Sequence, residues 1–191
     1  MASNRERALE AAVTLLGTEG LRALTHARVD DRAGLPRGST SNSFRTRAAL
    51  LAGVVEWMVA QERPAVDTAV LPASPEEFID GLCRLFDHLT GPGRVLTTAR
   101  LVLYLEASRD PALREALAQG RRAMERAILP ALARLGAADP QLAAGALAVC
   151  FEGLFLHRIA RHADLDPRPV IELVVRAALA APARPARSME H

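Results

Sequence analysis

The sequence predicts an all-α protein, with an N-terminal three-helix helix-turn-helix domain and a larger helical domain behind it. Three observations carry that prediction. Half of the 191 residues are hydrophobic but only 4% are aromatic, and the apolar set is mostly Ala, Leu and Val, which suit helices better than sheets. Apolar side chains recur at helical spacing, with no strand-like alternation beside them. Breaks such as "LPASPEE", "TGPGR", "SRDPA", "GAADPQ" and "DLDPRP" divide the chain into helix-length segments, each with a capping Ser, Thr or Asp before Pro or Glu.

The first helix is expected over 5–19, with an apolar stripe at Leu9, Ala12, Val13 and Leu16 and with Gly20 as its C-terminal cap. Thr25 is placed to cap a short helix over 26–33, which Gly34 ends. Pro36 fits the first turn of a third helix, where its missing N–H costs nothing. Thr46 caps a fourth, over about 47–62, carrying Leu50, Leu51, Val54, Val55 and Met58. Further helices are expected over 75–90, 94–107, 111–135, 140–162 and 168–181, with Pro130 kinking or splitting the third of these. Residues 1–47 then form the helix-turn-helix domain, 48–182 the larger domain, and 183–191 a disordered tail.

By composition "GLPRGSTSNSF" resembles a linker, yet it lies between helices and is flanked by arginines. Two short helices joined by a tight, glycine-containing turn make a helix-turn-helix, and a polar second helix is what that motif demands. Leu35, Thr40 and Phe44 are expected to hold its inner face to the core. Ser39, Thr40, Ser41, Asn42 and Ser43 are short donors and acceptors that fit close to DNA. Arg37 can pair with guanine or reach a phosphate, and Arg45 and Arg47 flank the helix, Arg47 at the start of the next one. Thr25 and Arg28, opening the preceding helix, complete the candidate DNA contacts.

The stretches "ALEAAVTLLGTEGLRALT", "VDDRAGLPRGSTSNSF" and "RTRAALL" within residues 7–55 resemble the DNA-binding domain of TetR-family transcriptional regulators. The matching positions are Gly20, Thr25, Ala33, Gly34, Gly38, Ser39, Phe44, Arg47, Leu50 and Leu51, over about a quarter of the chain. The resemblance implies a homodimer that binds a palindromic double-stranded DNA operator, most often as a repressor, and is released by a small-molecule inducer. Four positions depart from the pattern. Ser41 and Ser43 stand where aromatic residues are common, Asp30 where a small residue is usual, and Ala48 where an acidic residue is common. The operator therefore does not follow by analogy.

In the larger domain Leu142, Ala146, Val149, Gly153, Leu156 and Ala160 form a stripe spaced alternately four and three apart, with small residues that let helices approach. Phe151, Leu154 and Phe155 make a second apolar face on the same helix. The final helix, "PVIELVVRAALAA", is apolar nearly all round, its charges being Glu172 and Arg176 at i and i+4. Such a helix must be covered on two sides, by intramolecular core or by a dimer's four-helix interface. The resemblance implies the dimer, with Val170, Val174 and Ala177 joining the stripe. Trp57, Phe78, Leu82, Phe86, Leu101, Tyr104, Met124, Phe151 and Phe155, with Leu85, Leu89 and Leu105, could line a ligand cavity or be ordinary core. Arg100, Glu152 and His157 are polar groups close to that set.

Other classes find little support. A net charge of only +2 argues against a whole-chain basic field, and the use of arginine with no lysine reads as compositional bias. Cys83 and Cys150 lie far apart in apolar surroundings, as free core thiols do. The charged N-terminus lacks the apolar stretch of a signal peptide, and Glu152 and Arg176 interrupt the two best apolar runs, so no membrane span is expected and the chain reads as cytoplasmic. His88, His157 and His162 lack metal-ligand spacing, and no nucleophile elbow, Gly-rich phosphate loop or Cys–His pairing occurs. No enzyme, metal or cofactor is expected.

Overall fold

The computed structural model describes residues 2–67 and 71–180, so the expected tail over 183–191 lies outside the described residues. Among the described residues all regular structure is helical: α1 (Asn4–Glu19), α2 (His26–Ala33), α3 (Ser39–Ser43), α4 (Arg47–Asp67), α5 (Pro75–Thr90), α6 (Arg94–Ala107), α7 (Pro111–Arg134), α8 (Pro140–Phe155) and α9 (Arg168–Ala180). A 3-10 turn, Leu21–Ala23, follows α1, and a π-helical turn, Leu156–Ala160, extends α8.

Local chemistry sets most of these boundaries. Ser3 and Glu6 form a reciprocal cap at the start of α1: the Ser3 hydroxyl accepts from the Glu6 N–H at 3.2 Å, and the Glu6 carboxylate accepts from the Ser3 N–H at 2.7 Å. Thr25 caps α2, accepting from the Arg28 N–H at 3.3 Å, and Thr46 caps α4, accepting from the Ala49 N–H at 3.0 Å. Ser74 and Glu77 do the same for α5, so the acidic residues of "SPEEFID" are a helix N-terminus.

Two helix expectations need correction. Pro36 is not in the first turn of α3, which begins only at Ser39. Pro36 instead closes a turn, its carbonyl accepting from the Ser39 N–H at 3.1 Å, and Gly38 at φ 89° takes the chain off the helical path before α3 can start. Pro130 does not split α7, which runs through it with the proline on the exposed side. A third correction concerns apolarity. Despite Glu152, Pro140–Ala160 is long and apolar enough to cross a membrane by length and composition, with a mean hydropathy of 1.5. One carboxylate cannot offset so many Ala, Leu, Val and Phe residues.

The chain forms two compact units. The first comprises Met1–Thr68 and His88–Arg122, with a core that includes Leu9, Leu16, Val29, Leu50, Val54 and Leu103. There α1 meets α6 so closely that a Cβ on Gly17 would lie 2.2 Å from the Val95 carbonyl oxygen. The second comprises, among the described residues, 71–87 and 123–180, and buries Ile79, Phe86, Leu132, Leu147 and Ile171.

Candidate functional site

A five-residue helix made of Ser, Thr and Asn is too short to stand alone in water. Neighbouring elements hold α3 at both ends. Asp30 on α2 is 1% exposed, and its carboxylate accepts from the Gly38 N–H (2.8 Å), the Thr40 N–H (2.8 Å) and the Thr40 hydroxyl (2.5 Å). Burial pushes the Asp30 pKa up, but the hydrogen bonds from Thr40 and Gly38, with His26 nearby, hold it below the ordinary carboxylate value. The charged form is thus the one that anchors α3. At the other end His26 Nε2 donates to the Phe44 carbonyl at 2.7 Å. Arg7, reaching from α1, donates to the carbonyls of Ala33 (2.6 Å) and Gly34 (3.1 Å) and so ties down the turn, where Gly34 sits in the left-handed region at φ 60°.

Phe44, 4% exposed, anchors the end of α3 in the core. Its ring fills the space above Gly53, where a Cβ would lie 2.6 Å from the ring, and the Arg5 guanidinium lies 5.0 Å from the ring centroid. These ties explain a departure visible in the sequence. Asp30, which stands where a small residue is usual, forms a buried carboxylate–hydroxyl pair with Thr40.

The structure sorts the candidate DNA contacts. Thr40 is removed from them: it is fully buried and its hydroxyl is spent on Asp30. Thr25, Arg28, Arg37, Ser41, Asn42, Arg45 and Arg47 are exposed, and Ser39 is half-buried. The Ser39 and Ser41 hydroxyls donate to the Pro36 and Gly38 carbonyls, at 2.6 and 3.0 Å. Arg28 is paired with Glu19, and Arg47 donates to the Leu21 carbonyl at 3.0 Å, so both guanidinium groups are pre-positioned. The side chains of Arg37, Asn42 and Arg45 have no partner among the described residues and are free to meet one.

In the second unit the two apolar faces of α8 have different fates. Ala143, Ala144, Leu147, Phe151, Leu154 and Phe155 are buried. The stripe of Leu142, Ala146, Val149, Gly153, Leu156 and Ala160 is exposed along its whole length, Val149 at 59%. On α9, Ile171 and Val175 are buried, Val174 is half-buried, and Val170, Leu173 and Ala177 are exposed. Arg176 pairs with Glu172 at 2.7 Å, as their spacing implied, and with Glu76 on α5 at 3.4 Å.

The proposed cavity lining is divided. Trp57, Leu101 and Tyr104 belong to the first unit, where Trp57 and Tyr104 pack against its core. Phe78, Leu82, Phe86, Met124, Phe151 and Phe155 belong to the second. Phe86, Phe151 and Phe155 come together as one aromatic cluster, Phe86 stacked on Phe155 at 5.8 Å. Leu105 is 79% exposed and Leu85 39%, so neither lines an enclosed cavity within its unit. Both cysteines are free and half-buried, and burial pushes both thiols up. Among the described residues no three His, Cys, Asp or Glu side chains converge as metal ligands. Sequence reading passed over Arg7 and His26, whose partners lie 26 and 18 residues away along the chain. It also passed over a polar cleft beside Arg158, which joins α5 to the segment between α8 and α9.

Residues 73–181 match the family model for the tetracycline-repressor-like C-terminal domain. The chain is 34% identical over 84 residues to the HTH-type transcriptional repressor KstR2 of Mycobacterium tuberculosis, a match covering 42% of this chain and 40% of that protein. Among solved structures, the multidrug-binding protein EbrR complexed with ethidium is similar at 25% identity, with a TM-score of 0.75, over 92% of this chain and 99% of that one. A TetR-family member from Streptomyces coelicolor A3 is similar at 25% identity and a TM-score of 0.75, over 93% and 99% of the two chains.

Proposed function

As the chain belongs to the TetR family of transcriptional regulators, we propose that it is a homodimeric, ligand-responsive repressor acting in the cytoplasm. Residues 1–47 bind DNA, and 48–182 bind ligand and pair two copies. The observation that carries the DNA-binding reading is the construction of α3. Its inward side is fully satisfied by Asp30, His26 and the core, while Arg37, Asn42 and Arg45 around it are exposed and uncommitted. A polar helix held this firmly, with free donors outside, is suited to a groove lined with base edges and phosphates.

The exposed stripe on α8, continued on α9 by Val170 and Ala177, supports pairing with a second copy through a four-helix interface. Two helix-turn-helix units would then enter successive major grooves about 34 Å apart on a palindromic operator. The ethidium-bound neighbour supports a small-molecule effector. An effector that favours a spacing unsuited to the operator lowers affinity by its differential binding to the two states.

Selection of DNA from a random pool by the purified protein tests the reading. The expected product is a palindrome whose half-sites lie about one helical turn apart. A pool that shows no enriched sequence after repeated rounds would refute specific DNA binding.

A further inference from the structure

We propose that the second unit carries a seat for a flat organic cation over Phe86, and that Arg158 of the chain itself occupies it in this structure. The proposal gives the ligand-responsive reading a chemical class and rests on that reading for its consequence, release of DNA. A cleft of about 450 Å³ opens between α5, with Cys83 and Asp87, and the segment from Arg158 to Arg168. That is within the range of small-molecule sites. The Arg158 guanidinium lies 5.3 Å from the Phe86 ring centroid, a cation–π contact. The ring is fully buried, stacked on Phe155 and edge-on to Phe151, so its position is fixed.

Arg158 is an ill-fitting occupant. One end of its guanidinium donates to the Leu165 carbonyl, but Nε is buried with no hydrogen-bond partner among the described residues. A buried, unsatisfied N–H on a charged group is unfavourable, so a ligand that displaces it recovers that cost. The surrounding charge says what kind of ligand. Asp87, Asp164 and Asp166 line the cleft against Arg158 and Arg168, and Arg168 is already paired with Asp80 at 2.7 Å. If Arg158 swings out, the carboxylates of the cleft lose a nearby positive charge and the Phe86 ring loses the guanidinium that lies over it. An anion would have to pass those carboxylates to reach an Nε that solvent does not reach. A cation with an aromatic body satisfies both the carboxylates and the ring.

The test is titration of the full chain, without DNA, with ethidium as a planar cation and fluorescein as a planar anion. Ethidium is expected to bind and fluorescein not. The Asp87→Asn, Asp164→Asn double variant, altering exposed side chains, should weaken ethidium about tenfold. Arg158→Gln keeps an amide donor for Leu165 while removing the competing charge, and should tighten ethidium about tenfold. Fluorescein binding in preference to ethidium, or ethidium binding that is weakened or unmoved in Arg158→Gln, overturns the proposal, as does failure of both probes to bind. Should Arg158→Gln not fold, an unchanged ethidium affinity in the aspartate variant overturns it equally. If Trp57→Ala alone abolishes both ethidium binding and ethidium-driven operator release, the cleft is wrong while the ligand-responsive reading survives.

Discussion

The helices α3 and α8 are built on opposite principles. In α3 there are five residues, none of them apolar, and what holds the helix arrives from outside: a carboxylate and an imidazole from α2, and Phe44 just beyond its end. In α8 there are 16 residues with one charge, and its own unit buries only one side of them. The first helix is more polar than a core-packed segment should be, and the second is more apolar than a solvent-facing one should be. Each excess marks a surface that its own unit leaves unmatched, which the function proposed above assigns to DNA for α3 and to a second copy of the chain for α8. The difference teaches that polarity must be judged against what the fold already satisfies: Thr40 is polar and committed, whereas Asn42 is polar and free.

The largest expected effect breaks the α8 side of this contrast. Beyond its chain neighbours and its own helical backbone, no atom of the described residues lies within 4 Å of where a Cβ on Gly153 would be. A Cβ at this exposed position meets open space in its own unit, so Gly153→Leu chiefly probes what lies beyond that unit. The variant should keep its helical circular dichroism but sediment as monomer, with operator affinity lower by about a hundredfold or more because two half-sites are no longer linked. A Gly153→Leu protein that remains a dimer with normal operator affinity assigns the α8 stripe to something other than self-pairing.

Next come the anchors of α3. Phe44→Ala should destabilise the fold by about 3–5 kcal/mol through the cavity it leaves. Asp30→Ala strands the N–H groups of Gly38 and Thr40 and the Thr40 hydroxyl, and should cost about 3 kcal/mol. The pH dependence has a definite sign. The Asp30 pKa is lowered on folding, so its contribution is fully present above the unfolded value near 3.8 and is lost as pH falls through the lower folded value. Thermal melts from pH 7 down to pH 2 should show Asp30→Asn losing less stability than wild type over the acid limb. Parallel acid limbs for the two proteins would mean the carboxylate charge contributes nothing.

How much of this was legible in the sequence follows from how far apart the interacting groups lie. Helix ends were legible, since Thr25, Gly34 and Thr46 act on backbone three or four residues away. The α8 stripe was legible because a helix converts spacing into a face. The clamp on α3 was only half visible. Asp30 could be seen to depart from the pattern, but its partner Thr40 is one hydroxyl in a run of five similar residues, ten positions on. The Arg158 cleft was invisible, because it depends on α5 meeting a segment some 70 residues away, an arrangement that no local pattern encodes.

A smaller effect sharpens the distinction between committed and free groups. Asn42 is exposed and has no side-chain partner among the described residues. Asn42→Ala should leave the melting temperature nearly unchanged while weakening the selected operator by about 1–3 kcal/mol, if the amide reads a base edge. A comparable loss on non-specific DNA would reassign it to the backbone.

The smallest effect concerns Arg47, which is exposed yet held by its hydrogen bond to the Leu21 carbonyl. That tether aims the guanidinium without neutralising it, leaving its charge available to a phosphate. Arg47→Ala removes one phosphate contact per protomer, so the slope of log affinity against log salt should fall by about one for each half-site. The weakening should be uniform across operator sequences, since a phosphate carries no base identity. Stability should move by no more than about 0.5 kcal/mol, because the lost bond is on the surface. Arg47→Lys separates charge from geometry: it should retain the salt slope, because the ammonium still displaces a counterion, while losing part of the affinity that the tethered guanidinium provides. A salt slope unchanged in Arg47→Ala would leave Arg47 as a strut between α4 and the 3-10 turn and hand the phosphate contact to the untethered Arg45.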